Sequence, residues 1–303
     1  MSADALTTPG VAVDPQALLR LRHLAWRGRT SITRQLSTLP GGLVTRRRGR
    51  GVEVDDVRLW TDGDDVRHID RNTTARTGVL HVRTFRDERE RRVLLVPDFR
   101  PPMLFGTRRA LRSVAAAEAL TILGWRVIAN GGRIGLLSAG EGEAVYVRPR
   151  AGEKAMAAVI GGLARAHAAA LRGARRSDPP LADTLEAAAR AMPQGGQIVL
   201  ASALDAVGAG FDEAVLALRG RVGLRAILVL DAFEQRPPAG VYPFAARAAG
   251  LRWGRIDPAQ APDTGAERLK HLTDLGARGV LLDSETEPEA MVPLVEQLDD
   301  LDR

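Results

Sequence analysis

Three acids stand directly behind apolar runs, where they could do chemistry. Asp98 follows VLLV, Asp205 closes the ASALD that follows QIVL, and Asp231 follows LRAILVL, with Ser202 and Glu234 nearby. An acid in such a place can ligate a metal or move a proton. It can equally cap the next helix or pair with a neighbouring arginine. If the runs are parallel strands, their carboxyl ends line the crevice where sheets of this kind bind ligands.

Other chemistries find no pattern. No GxxxxGK[ST] occurs and no GxGxxG follows a strand, so nucleotide loops are absent; GRGVEV and GAGFDE read as glycine turns. The histidines, His23, His68, His81, His167 and His271, are scattered without HxxxH or HExxH spacing, and no zinc site is expected. The absence of cysteine excludes disulfides and thiolate sites and is compatible with a reducing compartment. Ser138 and Ser202 lack a nucleophile-elbow context, and the GDD at 63–65 has no polymerase motif around it.

The elements that must position the acids are legible. VLLV (93–96) reads as a strand buried on both faces. The helix pattern after it carries Leu111, Val114, Ala115 and Ile122 on one face, with Glu118 on the same side. RIGLLSA (133–139) and AVYVRP (144–149) read as strands, EKAMAAVIGGLARAHAAALR and LADTLEAAARAM as helices, and QIVLASAL (197–204) as a strand. Helix FDEAVLALRGR leads to strand LRAILVLDAF (224–233). LRWGRI, a helix around AERLKHLTDLG, the run GVLLD and a helix EPEAMVPLVEQLDDL close the chain. Strands separated by helices predict an α/β fold with a doubly wound, mostly parallel sheet.

The chain has 303 residues, 45% hydrophobic, with aromatics at only 4%, so the core must be built from Leu, Val, Ile and Ala. Its formal charge of +6 is almost all arginine, the lysines being Lys154 and Lys270. Most of that charge is interleaved with acids. The cluster Arg46, Arg47, Arg48 and Arg50 stands apart, but without a recognition motif it leaves nucleic acid as an alternative partner and not the expected one. The start lacks the pattern of a secretory signal, and no segment has the roughly 20 apolar residues of a spanning helix. A cytoplasmic protein is expected.

The densest pattern is RGRGVEVDDVRLWTDGDDVRHIDRNTTARTG, residues 48–78. Its acids and arginines alternate around glycines, as a solvated surface, an active site or a structural platform. Gly51, Glu53, Arg58, Trp60, GDDVRHID (63–70) and Ala75-Arg76, followed by VLLVPD, resemble the signature of the bacterial "domain of unknown function 58" family. Arg71 departs from it, the family usually having tryptophan there. The resemblance covers 41–106 by motif and the remainder by element order. It implies a von Willebrand factor A-like α/β domain beside a smaller N-terminal signature subdomain rich in short strands. It also implies partners, namely MoxR-type AAA+ ATPases and von Willebrand factor A proteins, in chaperone-like systems that mature enzymes or insert metals.

The expected layout is a disordered tail at 1–14, a helix and linker at 15–40, the charged signature subdomain at 41–92 and the von Willebrand factor A-like domain at 93–303. In the signature, Asp64, Asp65 and Asp70 are expected to accept hydrogen bonds from Arg58, Arg67 and Arg76, with Glu53 and the Gly63 turn completing a network that welds 41–92 to the sheet. A metal-ion-dependent adhesion site, which the family resemblance implies, needs Asp-x-Ser-x-Ser, a threonine and a further acid. This chain has Asp98-Phe99-Arg100-Pro101-Pro102-Met103, no threonine in register near Pro179 and Pro180, and Ser202-Ala203-Leu204 on the third loop. No metal and no cofactor are therefore expected. Arg100 has two readings: a guanidinium in the cation's place paired with Asp98, or a plain exposed arginine at a strand end. Asp98, Arg100, Met103, Ser202 and Asp205 are the expected partner contact of a non-enzymatic adaptor. A hydrolase using Asp98, Asp205 or Asp231 is the enzymatic alternative.

Overall fold

The computed structural model describes residues 8–27, 54–62, 64, 66–85, 91–173, 178–235, 237–246, 250–257 and 264–300. The chain divides into two compact units, Leu36–Glu90 and the remainder, in which Met1–Gln35 joins Arg91–Arg303.

The N-terminal segment begins the larger unit. Helix α1 (Pro15–Arg20) is capped by Asp14, whose carboxylate accepts from the Gln16 and Ala17 N–H groups, and Pro15 supplies a preset φ at the first position. A 3-10 turn, Leu21–His23, leads into α2 (Leu24–Arg27). Leu18, Leu21 and Leu24 are buried in the main core, and the Arg22 guanidinium sits 5.5 Å from the Trp125 ring centroid. The expected disorder of 1–14 is corrected from Thr8 onward: Val13 is buried, and the Gly10 carbonyl accepts from Leu111 N–H at 2.8 Å. At Gly10 φ is +76° and a Cβ would lie 2.1 Å from the Arg109 carbonyl oxygen, so only glycine allows this approach. The helix is thus part of the sheet unit and not a separate linker.

The signature unit is small. Strand β1 (Val54–Leu59) pairs antiparallel with β2 (His81–Phe85), and helix α3 (Arg71–Thr77) lies between them in sequence. Asp70 caps α3 by accepting from Thr73 N–H at 2.7 Å, and Gly78 ends it at φ 73°.

The larger unit is built on a six-stranded sheet. Its strands are β3 (Arg92–Pro97), β4 (Arg133–Leu137), β5 (Tyr146–Ala151), β6 (Gln197–Ser202), β7 (Gly223–Leu230) and β10 (Arg278–Asp283), in the order β10-β7-β6-β3-β4-β5. All pairs are parallel except β4–β5. This is the doubly wound, mostly parallel sheet that the alternation of runs predicts. Helices α4 (Arg112–Ala129), α5 (Glu153–Arg172), α6 (Leu181–Ala191), α7 (Phe211–Leu218), α8 (Ala232–Gln235), α9 (Thr264–Asp274) and α10 (Pro288–Asp300) follow in chain order. A hairpin of β8 (Gly240–Ala246) and β9 (Gly250–Ile256), of which sequence reasoning found only the LRWGRI run, forms a sheet of its own.

Strand β3 shows why the fold is stable. Val93 and Leu95 enter the core layer containing α4, α5 and α10, while Leu94 and Val96 enter the one containing α6 and α7; all four are fully buried. Each such side chain contributes about 1.5–3 kcal/mol. The chain winds from β3 to β4 on one side and later to β6 on the other. The crevice between β3 and β6 is therefore the topological switch point.

One polar pair lies inside this core. His167 of α5 and Ser113 of α4 are buried 2.9 Å apart (Nε2 to Oγ), with the Phe99 ring edge-on at 5.2 Å. Burial lowers the His167 pKa to about 4. The native state then binds the histidine proton less readily than the unfolded chain does. His167 should cost no stability above about pH 6.5, and on the order of 3 kcal/mol should be lost as pH falls to about 4. Urea unfolding across that range should show this slope in the native sequence and not in His167→Gln.

Candidate functional site

Strand β3 ends at the switch point on Asp98-Phe99-Arg100, and Asp98 and Arg100 are both only 1% exposed. The guanidinium grips the carboxylate with two bonds, Nε to Oδ1 at 2.9 Å and Nη2 to Oδ2 at 2.8 Å. Arg100 N–H adds a bond to Oδ1 at 3.0 Å, and Ser202 Oγ, at the end of β6, donates to Oδ2 at 2.7 Å. Nη1 turns the other way and donates to the carbonyls of Pro179 (3.0 Å) and Ala206 (2.6 Å). One side chain thus ties together the loop after β3, the loop before α6 and the loop after β6. The plain exposed arginine is excluded by burial, and the paired guanidinium is the arrangement present.

The third loop is held in a strained form. Leu204 has φ 53°, the only positive φ at a non-glycine among the described residues, and its N–H donates to Ser202 Oγ at 3.1 Å. A left-handed residue with a Cβ costs on the order of 1–2 kcal/mol, so the loop persists because its neighbours fix it. Met103, fully buried, accepts from Ala203 N–H through Sδ at 3.1 Å, and Arg268 Nη1 donates to the Ala203 carbonyl.

The other strand-end acids also have partners. Asp205 pairs with Arg112 at 3.0 Å, and Arg112 also approaches Glu234 at 3.4 Å with its guanidinium 5.0 Å from the Phe105 centroid. Arg112 is the first residue of α4, where the helix dipole disfavours a cation; the two acids offset that cost. Asp231 accepts from Thr107 N–H (2.9 Å), Thr107 Oγ1 (2.7 Å), Phe233 N–H (2.9 Å) and Ser284 Oγ (3.1 Å). Burial pushes its pKa up, but these hydrogen bonds outweigh burial and hold it below the usual carboxylate range. Glu118, the acid inside the α4 stripe, pairs with Arg109 at 2.8 Å; its pKa is nevertheless raised, burial being the largest cause.

A divalent ion does not fit this arrangement. Both Asp98 oxygens are filled by donors, a guanidinium sits where the loops converge, and Mg²⁺ needs several oxygens free to ligate. Among the described residues no group of three or more His, Asp or Glu could hold a metal.

Several sequence expectations need correction. Asp98, Arg100, Met103 and Ser202 are too deeply buried to touch a partner; the exposed rim above them contains Asp205, Phe105 and Arg108. In the signature unit, Arg58 forms the expected fork with Asp64, at 2.7 and 2.6 Å. The Arg58 bond, aided by Thr61 N–H, lowers the Asp64 pKa to about 2. Asp70 serves as a helix cap, whereas Arg76 is exposed on α3 and makes no side-chain bond among the described residues. Arg67 is exposed as well. Glu53, Gly63 and Asp65 lie outside the described residues, as does the cluster Arg46, Arg47, Arg48 and Arg50. Arg109, Arg112 and Thr107 were missed from the sequence; a cation opening an apolar helix was the available signal for Arg112.

Comparison with known proteins now bears on this geometry. Residues 56–250 match the family described as "Protein of unknown function DUF58". The chain belongs to this family. It is 31% identical over 272 residues to uncharacterized proteins of Mycobacterium tuberculosis and Mycobacterium bovis, covering 86% of this chain and 81% of each relative. Solved structures similar to this DUF58 chain include the conserved hypothetical protein BatB from Bacteroides thetaiotaomicron, at TM-score 0.44 and 12% identity, covering 69% of this chain and 98% of that one. Another is a von Willebrand factor type A structure from Catenulispora acidiphila, at TM-score 0.42 and 14% identity, covering 72% and 43%. Among the described residues, no helix of the DUF58 chain is long and apolar enough to cross a membrane.

Removing Arg100 should leave Asp98 as an unpaired buried charge. Arg100→Ala should cost about 3–5 kcal/mol in denaturant unfolding, and a loss below about 1 kcal/mol would mark a pair of surface strength. Arg76→Ala, by contrast, should stay within about 0.5 kcal/mol of the native protein.

Proposed function

We propose that this DUF58 protein is a non-enzymatic cytoplasmic adaptor, a chaperone-like accessory to a MoxR-type AAA+ ATPase in enzyme maturation or complex assembly. In this role it presents a fixed surface and the ATPase supplies the energy. The observation that supports the reading is the engagement of the strand-end acids. Asp98 is held by Arg100, Asp205 by Arg112, and Asp231 by Thr107 and Ser284, so each of these three carboxylates is engaged by a neighbouring side chain. A hydrolase needs a free catalytic group; a docking surface needs only rigidity. The degenerate adhesion site acts here as scaffold, and contact falls to the rim around Phe105, Arg108 and Asp205. The partner's identity comes from the family resemblance alone.

The purified chain and a MoxR-type ATPase from the same cell, mixed and followed by size-exclusion chromatography, test this. A complex whose amount depends on ATP is expected, unchanged when the chain is first treated with a chelator. Failure to co-migrate in any nucleotide state would defeat the adaptor reading, as would ester or phosphoester turnover lost in Asp98→Asn.

A further inference from the structure

A cavity of about 660 Å³ lies between the N-terminal segment and α4, inside the sheet unit. Its volume is that of a small-molecule site, and its walls are mostly apolar, as the walls of such sites are. Val13 and Leu18 form the N-terminal wall and Val114 the α4 wall, and all three are buried. The segment is pinned at both ends. The Gly10 carbonyl accepts from Leu111 N–H at 2.8 Å, and the Arg22 guanidinium forks onto Glu153 of α5. The gap beneath it is therefore held open by fixed contacts on either side.

The charged side chains that line the cavity differ in what they have left to give. At the rim, Asp14 is spent on the N–H groups of Gln16 and Ala17, and Arg20 lies 3.9 Å from it, facing solvent. Inside are Arg109 and Glu118, each side chain 17% exposed. Arg109 donates through Nε to the Ser284 carbonyl and through Nη1 and Nη2 to Glu118, at 3.3 and 2.8 Å. Glu118 thus accepts one guanidinium bond at each oxygen, whereas a carboxylate offers about four lone-pair sites. Charge behind the walls sets the sign of what can use that spare capacity. Glu285 accepts from Arg109 N–H, while Glu287 and Glu289 are exposed and hold no ion pair among the described residues. Burial is the first cause of the raised Glu118 pKa; Arg109 opposes it, and the charges of Glu287 and Glu289 add to it. One inner guanidinium therefore answers to Glu118, Glu285, Glu287 and Glu289 together, and the charge that relieves the excess is positive.

We infer that this cavity binds a small organic cation, a primary amine with an apolar body, whose ammonium group donates to Glu118 while its hydrocarbon lies against Val13, Leu18 and Val114. An ammonium carries three donors and no acceptor, so it matches a carboxylate with acceptor sites to spare. Out of bulk water the attraction between the two charges is stronger than at the surface. The hydrocarbon gains by leaving water for the apolar walls. The inference does not rest on the adaptor reading, since a failure to bind an ATPase leaves it untouched.

Titration of the full chain with hexylammonium, hexan-1-ol and hexanoate near pH 7, followed by ligand-observed NMR, tests it. The three share one hydrocarbon and differ in the charge of the head. Hexylammonium is expected to bind with a Kd at or below about 1 mM, and hexanoate at least about tenfold more weakly. Glu118→Gln, which keeps the shape and removes the charge, should weaken hexylammonium at least about tenfold and leave hexan-1-ol unchanged. Ala17→Trp, which fills the cavity from α1, should weaken all three, and circular dichroism checks that each variant is folded. The ranking of the three ligands needs only the native chain, so it decides the matter even where a variant fails to fold. No binding of hexylammonium by about 10 mM, equal binding of the three, or hexanoate binding best would each overturn the proposal. So would hexylammonium binding that survives both substitutions in folded protein.

Discussion

Everything at the carboxyl edge of the sheet depends on a charge buried out of water beside its counter-charge. Asp98 and Arg100 are two residues apart and both fully enclosed. Each ion alone would cost several kcal/mol to desolvate, so neither is tolerable without the other. The bidentate grip satisfies the carboxylate, and Nη1 recruits the Pro179 and Ala206 carbonyls to complete the guanidinium's shell. A lysine could not do this, having a point charge where the site needs a planar fork.

The consequence is rigidity. Three loops that meet at the switch point are joined through a covalently tethered cation that cannot dissociate. The strained Leu204 backbone and the Met103 contact to Ala203 N–H follow from that constraint. Around it, Arg112 and Arg109 repeat the device, each reaching segments that follow different strands, and Arg268 of α9 adds a bond to the Ala203 carbonyl. An edge laced in this way is held in one arrangement, with Asp98, Asp205 and Asp231 all taking part in the lacing.

Much of this was legible in the sequence. Continuous apolar runs such as VLLV announced strands buried on both faces, and Ala-rich amphipathic stretches announced the helices packed on them. Arg100 stood out because the family resemblance implies hydroxyl ligands in the loop it occupies. What escaped was whatever depends on approach between distant segments. The burial of Met103 beneath Ala203 has no local signature. The β8 strand, with Pro243 inside it and alanines around it, lacks the alternation that marks strands. The alternating charges of 48–78 were over-read. Arg58 and Asp64 do pair, but Arg76 faces solvent, since a charged pattern encodes possible partners without fixing which ones meet. Order at Gly10 depends on the close approach of the Arg109 carbonyl, a tertiary fact invisible to composition.

The most direct measurement is a double-mutant cycle on the buried pair, with Asp98→Asn, Arg100→Met and the combined variant unfolded in denaturant. Interdependence predicts that the double variant is no less stable than the weaker single one, with a coupling energy of at least about 2 kcal/mol. Additive losses, with coupling within about 0.5 kcal/mol, would show that the guanidinium and the carboxylate do not hold this edge together.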